Sequence, residues 1–285
     1  MPKKPLTFAL FPNISKRQSK SIAIGIREFL HNRKAIVVAE EDEAHLIGAT
    51  PLSEVDPSTI DIMISLGGDG TILRLIQRHP EINAPVVGIN LGSLGFMADV
   101  PVTEIYPTLE DLLSKNYQVQ NRIMMEANSS SGEKCIAVNE IVIHRAQNPC
   151  LVDLSIHVDG VYLNTFSADG VIISTPSGST AYSLAAGGPI LAPELDAFII
   201  TPISPHTISN RPIVLMPKTD IQIQYISEYD PVEVSYDGFS KLMISTGEVF
   251  YIRPAKRRFQ LVELPYHDYF STLRKKLSWT GKLRA

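Results

Sequence analysis

The feature that most constrains the fold of this chain is a change in its hydrophobic pattern near residue 117. Before that point, apolar runs typical of buried strands alternate with segments of helical periodicity. After it, apolar and polar residues alternate, as they do from Val152 to Val158, and Asp159-Gly160 predicts a type I′ hairpin turn. We therefore predict a Rossmann-like α/β domain with a mostly parallel sheet, followed by a β-rich domain of the sandwich type.

A chain of 285 residues suits two domains. We place the α/β domain at residues 1–99 and the β-rich domain at 100–265. The last segment, 266–285, carries Phe270, Leu273 and Leu277 at helical spacing and must bury an apolar face. We expect this helix to return to the first domain and complete it.

Composition excludes several classes of protein. No apolar run reaches the roughly 20 residues that a membrane span requires, and the net charge of −4 argues against a broad nucleic-acid surface. The apolar stretch near the N-terminus is too short for a signal peptide, so we expect a cytoplasmic protein. Cys135 and Cys150 stand alone, without the ligand spacing of a zinc site.

The segment Gly67-Gly68-Asp69-Gly70-Thr71 follows an apolar run that reads as a buried strand. Glycines at the carboxyl end of a parallel strand let the backbone approach a phosphate, and the next helix offers free N–H groups. The segment lacks the lysine of a P-loop, so charge on a nucleotide's phosphates would need a metal ion. Alternatively, Asp69 only caps a helix that begins near Thr71.

Three more segments carry polar or aromatic residues at positions where they could bind a ligand. Asn139 and Glu140 interrupt an apolar run and either bind ligand hydroxyls or face water at a strand end. The loop 175–180 is dense in hydroxyls, Ser177 among them, and either binds an anion or sugar or forms a turn in which Ser179 or Thr180 caps a helix. In 88–96, Asn90 ends a strand and Phe96 follows a glycine-spaced loop; an ordinary core phenylalanine is the alternative.

Together and in this order, these segments resemble the signature motifs of the NAD kinase family, bacterial type. The loop GGDGT alone is weak evidence, because lipid kinases of the diacylglycerol type and phosphofructokinases carry similar loops. Its combination with the Asn-Glu pair and with TPSGSTAY is much more specific. The resemblance implies ATP-dependent phosphorylation of the 2′-hydroxyl of the adenosine ribose of NAD, with Asp69 as the catalytic carboxylate.

The resemblance also assigns roles to the other matching residues. The phosphate loop would be formed by Gly67, Gly68, Gly70 and Thr71. The dinucleotide would be bound by Gly70, Phe96, Asn139, Glu140, Asp169, Thr180, Ala181, Tyr182, Ser183, Leu184 and Ala185. Further candidates are Asn90, Ser167, Ser177 and His206. We identify no protein ligand for a metal and expect a divalent cation, Mg²⁺, to bind together with ATP. We also expect the chain to form a homodimer or a homotetramer.

Three positions depart from the family pattern. Ser167 stands where a basic residue is frequent, Phe239 where a polar one is frequent, and Cys150 near the place of a third basic contact. Two other functions stay open at this stage. One is a related kinase that phosphorylates a lipid or sugar hydroxyl, and the other is a noncatalytic regulator that binds a dinucleotide.

Overall fold

The structure is a computed structural model and describes residues 4–207, 209–217 and 220–279. The helices are α1 Ser19–Asn32, α2 Glu41–Ile47, α3 Asp69–Arg78, α4 Ile105–Ser114, α5 Tyr182–Ala185 and α6 Tyr269–Lys276. The strands are β1 Thr7–Pro12, β2 Ile36–Ala39, β3 Thr50–Pro51, β4 Ile62–Gly67, β5 Val86–Asn90, β6 Val100–Pro101, β7 Gln118–Arg122, β8 Met125–Ser129, β9 Lys134–Ala137, β10 Glu140–His144, β11 Val152–Val158, β12 Val161–Ala168, β13 Gly170–Ser174, β14 Phe198–Ile203, β15 Ile213–Leu215, β16 Ile221–Tyr225, β17 Val232–Tyr236, β18 Ser240–Ile244, β19 Val249–Pro254 and β20 Phe259–Glu263. In the described ranges, no helix has both the length and the apolar character needed to cross a membrane.

The chain divides into two compact units. The α/β unit comprises the described residues up to 120 together with those from 260 onward, and the β unit comprises 121–259. Both boundaries differ from the predicted 99/100 and 265/266. The physical reason is that α4 buries Leu109 and Leu112 in the core of the α/β unit, and β20 continues the sheet of that unit by pairing with β5.

The sheet of the α/β unit has the strand order β3-β2-β1-β4-β5-β20-β7, with β6 also paired to β5. The pairs formed among β1, β2, β4 and β5 are parallel. Because the carboxyl ends of parallel strands meet at one edge, the loops after β1, β4 and β5 lie side by side. These are the loops that begin at residues 13, 68 and 91.

Helices cover this sheet with the periodicity expected of amphipathic segments. In α1, the buried residues Ala23, Ile26 and Leu30 form one stripe that packs into the core. The predicted C-terminal helix is present as α6, within the α/β unit. Its buried residue is Leu273, whereas Phe270 is 62% exposed, so the apolar face is narrower than predicted.

The β unit contains two six-stranded sheets, ordered β15-β14-β13-β10-β17-β18 and β12-β11-β16-β19-β8-β9. Their inner faces supply one continuous core, to which β11 contributes Leu154 and Ile156. The hairpin between β11 and β12 has positive φ at Asp159 (52°) and Gly160 (78°), as a type I′ turn requires. The predicted fold class is therefore confirmed, with a parallel α/β unit and an antiparallel β unit.

Candidate functional site

Three loops meet at the carboxyl edge of the parallel sheet in the α/β unit. The backbone N–H of Asn13, after β1, donates to the carbonyl of Leu66 (2.9 Å), and the N–H of Leu91, after β5, donates to the carbonyl of Gly67 (2.9 Å). The GGDGT loop after β4 thus lies between the other two. This edge is where open α/β sheets bind their ligands.

Asp69 is the residue that joins the GGDGT loop to the loop after β5. Its Oδ2 accepts the N–H of Phe96 (2.8 Å), and its Oδ1 accepts those of Met97 (3.0 Å) and Ala98 (2.8 Å). A Cβ on Gly95 would lie 2.0 Å from Asp69 Oδ1, so a glycine there lets the loop close over the carboxylate. Since every partner in this set is a donor, the arrangement suits an ionised carboxylate.

The alternative in which Asp69 caps the helix is wrong. Helix α3 begins at Asp69 itself, its N-cap is Gly68, and the side chain that bonds to the cap is that of Thr71, whose hydroxyl accepts the N–H of Gly68 (3.4 Å). The carboxylate bonds to the neighbouring loop and not to the first turn of its own helix. Its position at the first turn nevertheless places it in the positive field of the helix.

The two glycines before Asp69 are needed for different reasons. A Cβ on Gly67 would lie 2.1 Å from Thr71 Oγ1, so packing inside the loop excludes a side chain there. A Cβ on Gly68 would meet nothing within 4 Å, and its φ of −140° is available to any residue. Neither packing nor backbone conformation explains Gly68, and a glycine there leaves open space in front of the backbone. That space is what the close approach of a phosphate requires.

The side chain of Asn90 forms hydrogen bonds to both ends of the loop 91–98. Its Nδ2 donates to the carbonyl of Ala98 (2.9 Å), and its Oδ1 accepts the N–H of Gly92 (2.6 Å). The side chain is buried, and both ends of the amide are used inside the protein. Asn90 therefore supports the loop that holds Asp69 by fixing its shape.

Phe96 lies at the surface end of the same loop and is only half-buried. Its ring centroid is 6.3 Å from that of Tyr269, and Lys276 Nζ lies 5.6 Å from the centroid of the Phe96 ring, so α6 packs beside it. The alternative of an ordinary core phenylalanine is wrong, because Phe96 is not one of the buried core residues.

In the β unit, a second aspartate holds a second loop. Asp237 accepts the backbone N–H groups of Val138 (3.0 Å), Asn139 (2.8 Å) and Glu140 (3.4 Å), and its own N–H donates to the carbonyl of Glu140 (3.0 Å). Asp237 is only 4% exposed. It fixes the backbone from which the predicted pair Asn139 and Glu140 projects.

The side chains of that pair are buried and incompletely bonded. Among the described residues, Asn139 Oδ1, Glu140 Oε2 and Ser177 Oγ have no hydrogen-bond partner. Burial, and to a lesser degree the charge of Asp237, raises the pKa of Glu140 to about 8. Buried polar atoms are almost always bonded in folded proteins, so these three atoms are candidates for hydrogen bonds to a ligand.

The loop after β13 packs directly on the Asn-Glu pair. Thr175 donates its N–H to the carbonyl of Asn139 (2.8 Å) and its hydroxyl to that of Val138 (2.6 Å). A Cβ on Gly178 would lie 2.2 Å from the carbonyl oxygen of Asn139. The two motifs are separate in the sequence, and the fold brings them into contact.

The hydroxyls of this loop do not cap a helix. Ser179 donates to the carbonyl of Pro176 (2.6 Å) and Thr180 to that of Ser177 (3.3 Å), while the short helix α5 has no side-chain cap. The capping alternative is therefore wrong.

Helix α5 presents its residues in different ways. Ser183 is buried and its hydroxyl pairs with that of Thr201 (3.0 Å), whereas Tyr182 is 42% exposed. The other three predicted residues of this segment, Ala181, Leu184 and Ala185, are partly or fully exposed. Tyr182 and its exposed neighbours are thus accessible to a ligand, and Ser183 supports their backbone.

The remaining candidates form a separate cluster at the opposite end of β13. Glu140 lies opposite Ser174 in the ladder and His144 opposite Gly170, so Asp169 and the Asn-Glu pair are about 17 Å apart along the strand. Asp169 pairs with Arg145 (Nε to Oδ1, 2.7 Å). Two of the other candidates lie nearby, since Ser167 donates its hydroxyl to Asp153 and accepts the N–H of His206 at its carbonyl (2.9 Å).

Asp237 is a site residue that the sequence motifs did not predict. The only signal was Asp237-Gly238 between two alternating segments, which predicts a hairpin turn. That pattern does not reveal that the carboxylate turns inward to three N–H groups of a segment about 100 positions earlier. No group of three or more His, Cys, Asp or Glu side chains suited to a metal occurs within the ranges that the structure describes.

Comparisons with known proteins identify the family. The family model of the ATP-NAD kinase N-terminal domain matches residues 8–117, and that of the ATP-NAD kinase C-terminal domain matches 138–264. The chain is 61% identical over 276 residues to an NAD kinase of Protochlamydia amoebophila, covering 97% of this chain and 99% of the relative. An NAD kinase of Geobacter metallireducens is 37% identical over 276 residues, with 95% and 98% covered.

Two solved structures share the fold. The yeast NADH kinase complexed with NADH aligns with a TM-score of 0.90 at 26% identity, covering 99% of this chain and 90% of that one. An NAD kinase from Archaeoglobus fulgidus in complex with ATP aligns with a TM-score of 0.75 at 25% identity, covering 96% and 99%. The two family models together match most of the chain and the sequence relatives cover 95% or more of it, so the chain belongs to the NAD kinase family.

Proposed function

We propose that the chain transfers the γ-phosphoryl group of ATP to the 2′-hydroxyl of the adenosine ribose of NAD, which yields NADP and ADP. The observation that carries this proposal is Asp69, a carboxylate fixed by three backbone N–H groups beside the open backbone of Gly68. Family membership supports the reaction, because the sequence relatives are named NAD kinases and the solved neighbours were bound to NADH and to ATP.

Asp69 has one acceptor direction left for a substrate hydroxyl. A carboxylate oxygen has two lone pairs, and Oδ2 accepts only the N–H of Phe96 among its bonds described above. The 2′-hydroxyl of the ribose would donate there. Its oxygen then forms a bond to the γ-phosphorus as the bond from that phosphorus to the bridging oxygen breaks, ADP leaves, and the proton passes to Asp69. Since the transition state of phosphoryl transfer is loose, positioning of the hydroxyl supplies much of the effect.

The residues of the β unit would bind the dinucleotide. Ribose hydroxyls and the adenine edge would supply the missing partners of Asn139 Oδ1, Glu140 Oε2 and Ser177 Oγ. Phe96 would pack on the adenosine. The segment Thr180, Ala181, Tyr182, Leu184 and Ala185 would contact the base, and Asp169, Ser167 and His206, at the far end of β13, would contact the other part of the dinucleotide.

The donor would bind at Gly67, Gly68, Gly70 and Thr71. Magnesium at nucleotide sites takes most of its ligands from water and substrate phosphates. We therefore expect Mg²⁺ to enter with ATP, where it neutralises phosphate charge. A cytoplasmic location, a homodimer or homotetramer, and no binding to nucleic acid or membranes remain predictions; sedimentation of the purified chain tests the assembly.

One assay tests the reaction itself. The purified chain is incubated with ATP, MgCl₂ and NAD, and NADP is detected with an NADP-dependent dehydrogenase. NADP is expected to form in proportion to the amount of enzyme. If neither ATP nor polyphosphate gives NADP, the proposal fails, and the same mixture with a lipid or sugar acceptor then tests the related kinases. Binding of NAD without turnover would favour the noncatalytic regulator.

A further inference from the structure

We propose that Lys16 binds the triphosphate of the phosphoryl donor. The residue lies in the loop between β1 and α1, outside every motif that the sequence analysis singled out. The inference rests on the proposed function, because it assigns the donor's phosphates to the GGDGT loop. It supplies the cation that this loop itself lacks.

The loop after β1 is built to hold Lys16 at the carboxyl edge of the sheet. Asn13 anchors it by donating its N–H to Leu66, and Asn13 Oδ1 accepts both the N–H (3.2 Å) and the hydroxyl (2.6 Å) of Ser15. The backbone N–H of Lys16 donates to the carbonyl of Asn13 (3.0 Å), and the carbonyl of Lys16 accepts the N–H of Ser19 (3.0 Å), where α1 begins. These bonds fix the backbone of Lys16 independently of its side chain.

The side chain of Lys16 reaches across the end of β4. A Cβ built on Gly92 would lie 3.6 Å from Lys16 Nζ and 3.9 Å from Asn90 Oδ1, so the ammonium lies beside the loop after β5. In the sheet, β4 lies between β1 and β5. A side chain that starts after β1 and ends near Gly92 therefore passes the carboxyl end of β4, where the Gly67-Gly68 pair is located.

The charge of Lys16 has no opposite charge beside it in the part of the chain that the structure describes. No carboxylate of the described residues forms a salt bridge with it, although other cations of the α/β unit, such as Arg33 and Arg78, have such partners. An ammonium offers three donors and no acceptor, and the lysine of P-loop enzymes uses them to bind the β- and γ-phosphates. The ammonium lies beside Gly92, and its side chain passes the end of β4, where Gly68 leaves open space in front of the backbone. Its charge is complementary to that of a triphosphate bound in that space.

A cavity lies beside the carboxyl edge of the parallel sheet. A cavity of about 260 Å³ is lined by Asn13, Thr71, Arg74 and His79 among others, so it borders both the Lys16 loop and the start of α3. A triphosphate at the GGDGT loop would thus have room to continue into a nucleoside.

The test compares Lys16→Gln with Lys20→Gln. Lys20 lies four positions later on α1 and is exposed, so its replacement changes the net charge equally. We expect Lys16→Gln to raise the KM for ATP and the dissociation constant of ATP roughly 10- to 100-fold, the range for one charge-assisted contact. The KM for NAD and the affinity for adenosine are expected to change less than about threefold. Lys20→Gln is expected to match the wild type in all four values.

Lys16→Arg provides the second arm. It keeps the cation and is expected to retain most of the ATP affinity, which separates loss of charge from damage to the loop; the melting temperature of each variant confirms that it is folded. Equal losses for ATP and adenosine, or ATP affinity within about twofold of wild type in Lys16→Gln, would overturn the inference. A wild-type chain that binds ATP but forms no NADP contradicts the proposed reaction and leaves this binding test intact.

Discussion

Two aspartates in different units each accept three backbone N–H groups, but they differ in how exposed their carboxylates are. Asp69 accepts the N–H groups of residues 96–98, and Asp237 accepts those of 138–140. Each carboxylate holds three consecutive peptide groups of a distant segment. Asp237 is 4% exposed and lies inside the β unit, whereas Asp69 is only half-buried beside an open glycine.

The difference shows how a structural carboxylate can be told from one available to substrate. Bonds to backbone N–H groups do not distinguish them, because both residues have three. What distinguishes them is an acceptor direction that a ligand can reach. Asp237 orders the residues that would bind substrate, and Asp69 both orders its loop and can receive a hydroxyl. Replacement of each should therefore separate catalysis from stability.

The largest effect is expected on turnover in Asp69→Asn. The amide keeps the shape but loses the charge that accepts the ribose proton, so kcat should fall about 10²–10⁴-fold, the usual range for a general base. Because the amide NH₂ must face one of the three N–H donors, a loss of about 1–3 kcal/mol in unfolding free energy should accompany it. Steady-state kinetics and urea unfolding give both values.

Asp42→Asn, an exposed change on α2, is the control for that experiment and should leave both values close to the wild type. The dissociation constant of NAD should change little in Asp69→Asn. A variant that lost NAD binding and turnover by the same factor would show that Asp69 acts only by holding its loop.

Asp237→Asn is expected to show the opposite balance. Its carboxylate is buried and three N–H groups depend on it, so unfolding free energy should fall by about 2–4 kcal/mol. The KM for NAD should rise because Asn139 and Glu140 lose their support, while kcat should fall much less than in Asp69→Asn. Asp230→Asn, at an exposed position of the same unit, is the matched control. A kcat loss as large as that of Asp69→Asn would contradict the assignment of Asp237 to structure.

Much of the fold was predictable from the sequence because periodicity reports which face of each element is buried. The parallel and antiparallel halves, the type I′ turn at Asp159 and the GGDGT loop all follow from local patterns. The domain boundaries did not, because the burial of α4 and the pairing of β20 depend on contacts between distant segments. Periodicity cannot assign an element to one of two neighbouring cores.

In the candidate sites, too, local patterns do not reveal side chains whose contacts are with distant segments. The motifs identified Asp69 and the Asn-Glu pair, since their residue types are unusual for their setting. They did not identify Asp237 or Lys16, because an Asp-Gly turn and an exposed lysine are common in any sequence. Only the register of β10 against β17 and the order of β1, β4 and β5 bring those two residues to their loops.

Glu140 offers a pH test of the region that Asp237 supports. Its folded pKa of about 8 lies above the ordinary value near 4.5, so the folded state holds a proton that the unfolded state releases, and stability falls as pH rises from about 4.5 to 8. Glu140→Gln removes this penalty. Without ligand, we expect the variant to gain roughly 1–3 kcal/mol relative to the wild type at pH 8 compared with pH 5.

Urea unfolding at the two pH values measures the change, and Glu133→Gln, exposed in the loop before β9, controls for loss of one surface charge. A difference between wild type and Glu140→Gln that did not vary with pH would show that Glu140 is already ionised in the folded chain. NAD, if its hydroxyls bond to Glu140, should reduce the pH dependence of the wild type.

The smallest effect is expected at His267, which bonds to Asp99, the residue directly after the three donors to Asp69. Burial lowers its pKa, but hydrogen bonds to Asp99 (2.9 Å) and Glu104 (3.0 Å) outweigh burial, so the pKa is raised. The stabilisation is complete below the unfolded pKa, near 6.5, and is lost as pH rises through the folded value. His267→Gln should therefore destabilise the chain by up to about 1 kcal/mol at pH 6 and less at pH 9, whereas His45→Gln, exposed on α2, should show no such difference. An equal loss at both pH values would mean that neutral His267 serves the loop as well as the charged form, and that Asp99 is held by hydrogen bonding alone.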